Sequence, residues 1–195
     1  MSLLSADRDL VRSAIGELSR EAGPPDLVSE ILPFAYTDYY EKEMGPSLER
    51  RLVAFETLIA PDRLPGIKLW TNGLEERSAR GGKRRINIDP GYLSAFHLIL
   101  ATGKGYAHRP YLREGIYADL TLLYRDGAFH ALEWTYPDYR EQGIQSLLSA
   151  VRKKYMLQRR SALPKRRETG ENVTAPDPPE SGFAPGPGHR EEVKE

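Results

Sequence analysis

Three ionisable residues in one short glycine-containing stretch, Lys104, His108 and Arg109, have side chains suited to hold an anion. Gly103 and Gly105 let backbone N–H groups approach a ligand closely. Lysine and arginine donate to phosphate or carboxylate, arginine through two parallel hydrogen bonds, and histidine gives or takes a proton near neutral pH. The same string also fits a solvated turn with a structural ion pair. A second group, Asp38, Glu41 and Glu43, flanks Tyr39 and Tyr40. Carboxylates this close can ligate a hard cation. Alternatively, Asp38 and Glu41 form a capping box, which leaves Glu43 to face a pocket. Asp89 precedes Pro90-Gly91, a setting in which an Asp side chain bonds the backbone N–H groups ahead of it. Asp138 follows Pro137 and can cap the last helix. Trp134, Tyr136 and Tyr139 offer either an aromatic wall for a base or sugar or ordinary core. Asp119 and Glu133 fall on a hairpin whose facing the pattern leaves open.

These residues suggest a small-molecule site for a phosphorylated or nucleotide-like anion. Lys104, His108 and Arg109 would hold the anion, Glu43 or Asp89 would serve as base or metal ligand, and Tyr40, Tyr136 and Asp138 would contact the ligand. Glu43, Asp89 and His108 are the catalytic candidates. No metal site or cofactor is assigned. A different reading starts from Arg152, Lys153, Lys154, Arg159, Arg160, Lys165, Arg166 and Arg167, a basic stripe of the kind that contacts nucleic-acid phosphates; RNA would then bind without catalysis through residues 152–167. A third reading makes the chain a protein-interaction module whose motifs only hold the fold. P-loop, GxGxxG, HExxH, GxSxG and RNP-like strings are missing from the sequence.

Positioning such residues requires a folded domain, and 195 residues suffice for one domain with a tail. The chain carries 28 basic and 28 acidic side chains, unevenly spread: residues 1–139 are net −3, residues 140–167 net +8 and residues 168–195 net −5. With no cysteine, disulfide scaffolds, thiolate zinc sites, iron–sulfur clusters and cysteine nucleophiles are excluded. No run approaches the roughly 18 apolar residues that span a bilayer. The opening residues lack the basic and apolar regions of a secretion signal, so a cytoplasmic protein without membrane partners is expected. Residues 162–195 are rich in Pro, Gly and acid and are expected to be disordered, leaving 1–161 as a single domain.

Within 1–161 the pattern predicts a helix capped by Ser5, with Val11, Ala14, Ile15, Leu18 and Ala22 on one face and Gly23-Pro24-Pro25 as its stop. Strands are expected over 27–36 and 47–60. A helix is expected over 61–79, with a hairpin at Asn72-Gly73 as the rival reading. Further strands fall over 85–88, 96–102 (where a helix is the rival reading), 115–124 and 128–134, with a type II turn at Asp89-Pro90-Gly91-Tyr92. A last helix is expected over 140–160. This order gives an α+β fold: an antiparallel sheet with a ferredoxin-like βαββαβ N-terminal part whose opening strand is truncated, added β-hairpins and a C-terminal helix.

Four strings taken together carry a resemblance: Thr37-Asp38-Tyr39-Tyr40-Glu41-Lys42-Glu43-Met44-Gly45, Asn87-Ile88-Asp89-Pro90-Gly91-Tyr92-Leu93, Ala101-Thr102-Gly103-Lys104 with His108-Arg109-Pro110-Tyr111-Leu112, and Trp134-Thr135-Tyr136-Pro137-Asp138-Tyr139-Arg140. In this order and spacing the chain resembles the bacterial family of domain of unknown function 4416, over about residues 3–158. The resemblance implies a group and not an activity. It also implies an apolar strand before the first helix, of which only Leu3-Leu4 remain here; its loss would leave an interior gap, so either the true start lies upstream or the sheet is built differently. Gly103, Gly105 and Pro110 stand where the family usually has bulkier residues.

Overall fold

The computed structural model describes residues 1–37 and 39–162. Its first sheet is built from β1 (Ser2–Ser5), β2 (Pro25–Val28), β3 (Leu32–Pro33), β4 (Glu49–Phe55) and β5 (Asn87–Asp89). The pairing order is β2-β4-β1-β5, antiparallel throughout, with β3 also on β4. With α1 (Arg8–Ala22) between β1 and β2, and α3 (Leu64–Arg77) between β4 and β5, this is the split βαβ arrangement of ferredoxin-like units. The short opening segment leaves no interior gap. β1 is four residues long but sits in the centre of the sheet, pairing Leu3 with Arg51 on one side and with Ile88 on the other. Its flanking serines hid it from the apolar pattern. Both are buried and satisfied: Ser5 Oγ donates to the Arg85 carbonyl at 2.6 Å, and Ser2 Oγ accepts from Arg50 Nη1 at 2.9 Å.

Ser5 is therefore spent on the sheet, and Asp7 caps α1 instead, its Oδ1 accepting from the N–H groups of Asp9 and Leu10 at 3.0 and 2.9 Å. The expected strand over 27–36 is broken into β2 and β3. Asn72 and Gly73 lie inside α3, so the helical reading of 61–79 holds, with a short 3-10 turn, Pro61–Arg63, leading in. Val11, Ala14 and Leu18 of α1 and Leu74 of α3 pack on Leu3, Val53, Ile86 and Ile88, covering one face of the sheet. The short helix α2 (Glu41–Met44) starts at Tyr40 without a side-chain cap; Asp38 of the expected capping box lies outside the described residues.

A second antiparallel sheet consists of β6 (Gly91–Leu93), β7 (His97–Thr102), β8 (Tyr111–Arg113), β9 (Ile116–Arg125) and β10 (Ala128–Ala131), paired in the order β10-β9-β7-β6 with β8 on β9. The expected type II turn at Pro90-Gly91 does not form. Such a turn needs a positive φ at Gly91, and Gly91 has none. Instead the chain runs extended across Pro90 from the first sheet into the second, and Pro90 O accepts from Ala101 N at 2.9 Å. Gly91 is needed for another reason: a Cβ there would meet the Ile99 carbonyl oxygen well inside 3.0 Å.

Side chains alternate along β4. Val53 and Phe55 join the α1 side, whereas Leu52 faces Leu98, Leu100 and Leu122 of the second sheet, together with Tyr139 and Ile144. The latter two belong to a 3-10 turn (Pro137–Arg140) and to α4 (Gln142–Ala162). The sheet face left bare by α1 and α3 is thus covered by the second sheet and α4. The fold is α+β with antiparallel sheets and a C-terminal helix, as the element order implied. Among the described residues, no helix is long and apolar enough to cross a membrane. Apart from Ala162, which closes α4, the expected disordered tail lies outside the described residues, as do Lys165, Arg166 and Arg167 of the basic stripe.

Candidate functional site

Where the two sheets meet, toward the α3 side, they enclose a cavity of about 710 Å³, within the roughly 300–1,000 Å³ typical of small-molecule sites. Five of the eight residues given catalytic or ligand-binding roles from the sequence line it, Tyr40, Asp89, Lys104, Tyr136 and Asp138, as do Tyr39, Asp119 and Tyr139. Alternation in β5 explains one of them, because Ile86 and Ile88 turn to the helices while Asn87 and Asp89 turn to the cavity. Lys104 follows the end of β7, and Tyr136 and Asp138 come from the turn after β10.

Asp138 does not cap α4. It is 2% exposed and lies with Oδ2 2.8 Å from Nη2 of Arg50, itself 7% exposed on β4. The approach is off-line, so Oδ2 accepts no hydrogen bond, and Arg50 Nε also lacks a partner among the described residues. Arg50 is further held over the rings of Phe34 and Tyr139, at 4.8 and 5.5 Å. Burial raises the Asp138 carboxyl above its ordinary range, against the pull of Arg50. Burial likewise pushes the Tyr139 phenol up to about 12 and raises that of Tyr40.

Asp89 makes no bond to the backbone ahead of it. Its Oδ1 accepts from Lys68 Nζ at 3.3 Å and its Oδ2 from Asn87 Nδ2 at 2.7 Å. Lys68 and Glu75, both buried on α3, also close the border of the first sheet. Lys68 Nζ donates to Ile88 O at 2.8 Å, and Glu75 Oε1 accepts from Ile88 N at 2.7 Å. Burial raises the Glu75 carboxyl, against the pull of Lys68.

Glu43, Arg109 and His108 stand around the cavity rather than in its wall. Glu43 is bound bidentately by Arg84, at 2.8 Å from Nε and 2.7 Å from Nη2, and it accepts from Arg84 N as well. The hydrogen bonds of Arg84 hold the Glu43 carboxyl below its ordinary range. Such a group stabilises the fold above its unfolded value and loses that contribution as pH falls through its folded value. Glu43→Gln is therefore expected to lower the melting temperature near neutral pH and to shrink its fall below pH 4.5, as thermal melts across pH would record. Arg109 spans from Asp119, Nε to Oδ2 at 2.8 Å, to the Tyr136 hydroxyl at 2.9 Å from Nη2. His108 stacks on Trp134, with centroids 4.7 Å apart and planes 12° apart, and its Nε2 lies 3.9 Å from Asp119 Oδ2 without a hydrogen bond.

The aromatic wall differs from the expected one. Trp134 donates to Leu120 O and packs on His108, and Glu133 is exposed. Of the three expected members, Tyr136 and Tyr139 do line the cavity, and Phe34, Tyr36, Tyr39 and Tyr40 join them in place of Trp134. Lys104 Nζ donates to the Tyr39 hydroxyl at 2.8 Å and lies 4.4 Å from the Tyr39 ring centroid, and that ammonium lowers the Tyr39 phenol. Sequence reasoning missed Arg50, Lys68, Glu75, Arg84 and Asn87. One signal was available: Lys68, Thr71 and Glu75 share helical spacing with the apolar stripe of α3, placing two charges on a buried face. Among the described residues, no group of three or more His, Asp or Glu side chains is placed to hold a metal ion.

A family model described as domain of unknown function (DUF4416) matches residues 1–155, so the chain belongs to that family. No curated protein and no solved structure matches it.

Proposed function

We propose that the chain binds a small phosphorylated or nucleotide-like anion in the cavity between its two sheets. One observation carries this reading: charged side chains from α3, β4, β5, the segment after β7 and the turn after β10 converge on one cavity with a tyrosine-rich wall. Its lining cations Arg50, Lys68 and Arg84 each stand within 4.0 Å of a carboxylate, whereas Lys104, among the described residues, is held by a phenol alone. Lys104 is thus the lining cation that no carboxylate among the described residues neutralises, and an ammonium has further donors for an incoming anion. Arg109, held by the lining residues Asp119 and Tyr136 and donating to the Lys104 carbonyl, adds positive charge beside it. Binding is better supported than catalysis, because Glu43 and Asp89 already spend their oxygens on Arg84, Lys68 and Asn87.

Melting the protein with ATP, ribose 5-phosphate or inorganic phosphate tests this. A ligand at about 100 times its Kd adds about 2.7 kcal/mol of stability, which a melt detects. Lys104→Ala removes an exposed side chain, so it should leave the ligand-free melting temperature unchanged and weaken the responding ligand about tenfold. No response to any of the three, or an unchanged affinity in Lys104→Ala, overturns the reading.

The RNA reading draws less support from the folded domain. Arg152 is committed to the Ala95 carbonyl and the Tyr124 ring, and Lys154 to Asp26, which leaves Lys153, Arg159 and Arg160 exposed on α4.

A further inference from the structure

A second cavity, of about 260 Å³, lies on the other side of Leu100 and Tyr139, between α4 and the face of β4, β6 and β7. It exists because α4 stands off the sheet. Ile144 is buried, but the rest of the helix's apolar stripe, Leu147, Leu148, Val151 and Tyr155, is only half-buried. Protein interiors rarely leave apolar space of this size unfilled. Its inner end is closed by buried Leu52, Leu98 and Tyr139. Its outer end is marked by Leu58, 46% exposed, and by Lys154 and Gln158. Among the lining side chains, Asp26 is the one acid and Lys154 the one base, with Nζ 2.7 Å from Asp26 Oδ2, while the α-amino group of Met1, also a lining residue, is tied to Val53 O at 2.6 Å. The remaining lining is apolar apart from scattered hydroxyls and the Gln158 amide.

We propose that this second cavity is a site for a medium-chain fatty acid, with its aliphatic chain running inward toward Tyr139 and its carboxylate at Lys154. The volume falls below the roughly 300–1,000 Å³ of sites for drug-sized, ring-containing ligands and suits a single unbranched chain. An ammonium has three N–H donors, and Asp26 takes one. Exposed Arg159, next to Gln158 on the same helix, adds positive charge near the outer end, which favours an anionic head over a cationic one. The site shares Leu100 and Tyr139 with the polar cavity as a common wall but none of its charged residues.

Calorimetric titration of the full chain with decanoate, decanol and acetate tests the assignment. Decanoate should bind at least about tenfold tighter than acetate, with a negative heat-capacity change from apolar burial. Lys154→Gln should weaken decanoate about fivefold and leave decanol unchanged. Ala54 lines the cavity from β4, so Ala54→Trp should fill it and weaken both long-chain probes about tenfold. Leu148→Trp, from the helix side, serves if Ala54→Trp fails to fold. Lys104→Ala should leave decanoate binding untouched, which separates this site from the polar one. The proposal is overturned if decanoate binds no tighter than acetate, if Lys154→Gln affects decanoate and decanol equally, or if neither filling variant matters. It is equally overturned if sedimentation shows a dimer that a filling variant dissociates, because a second copy would then cover the groove.

Discussion

Asp138→Ala is expected to cost about 3–5 kcal/mol of folding stability, the range for removing one partner of a buried ion pair. Asp138 is the one carboxylate within 4.0 Å of Arg50 among the described residues, and Arg50 is buried. Without Asp138 the guanidinium keeps a hydrogen bond to Ser2 and two aromatic faces, and none of these neutralises it. At about 2–4 °C per kcal/mol for a protein of this size, the melting temperature should fall by well over 5 °C. Two controls separate charge loss from cavity formation. Asp138→Asn keeps the shape and a hydrogen-bonding side chain, so it should cost less than alanine. Replacing both partners, Arg50→Met with Asp138→Leu, should restore much of the loss, because a buried pair exchanged for apolar groups of similar volume is often close to neutral. A double replacement as unstable as Asp138→Ala would show that the pair's worth is not electrostatic. The third reading of the sequence, in which these motifs only hold the fold, instead predicts that Lys104→Ala or His108→Ala costs several degrees of melting temperature.

Gly91→Ala is the second large effect. The new methyl would crowd the Ile99 carbonyl oxygen and lie 2.8 Å from Leu100 Cδ2. The first obstacle is backbone in the neighbouring strand, where Gly91 pairs directly with Leu100, so neither side can yield without opening the β6–β7 ladder. Overpacking of this kind costs about 1–3 kcal/mol and more where backbone must shift; about 3 kcal/mol or above is expected here from denaturant melts. Gly103→Ala is the matched control. Nothing lies within 4 Å of a Cβ at that position and its φ is not positive, so the change should be nearly silent. The glycine that departs from the family's bulkier residue is thus the tolerant one of the two.

Much of the fold could be read from the sequence because helices and strands here bury regular stripes. The Val11–Leu18 face, the run through β9 and the stripe of α4 each repeat at the period their structure needs. What escaped was governed by pairing rather than by local pattern. β1 has two apolar residues, and it is a strand because β4 and β5 both pair with it. Asp89-Pro90-Gly91 has the residues of a turn, yet two sheets pull the chain straight through it. The candidate site divides along the same line. Residues in conspicuous polar strings, such as Asp89, Lys104, Tyr136 and Asp138, were found and do share a cavity. Arg50, Lys68, Glu75 and Arg84 sit within otherwise ordinary elements, and their importance depends on which remote partner folding brings to them. His108 shows the converse: a residue type suited to chemistry whose ring is occupied by stacking on Trp134.

The border of the first sheet at β5 has a consequence beyond the cavity. β5 is three residues long, and Ile88 is the residue whose N–H and C=O turn away from β1. Glu75 and Lys68 occupy both groups, so no extended segment from another polypeptide can add itself there and lengthen the ladder. Two charges that look like chemistry on the cavity side thereby also guard the molecule against strand-by-strand aggregation.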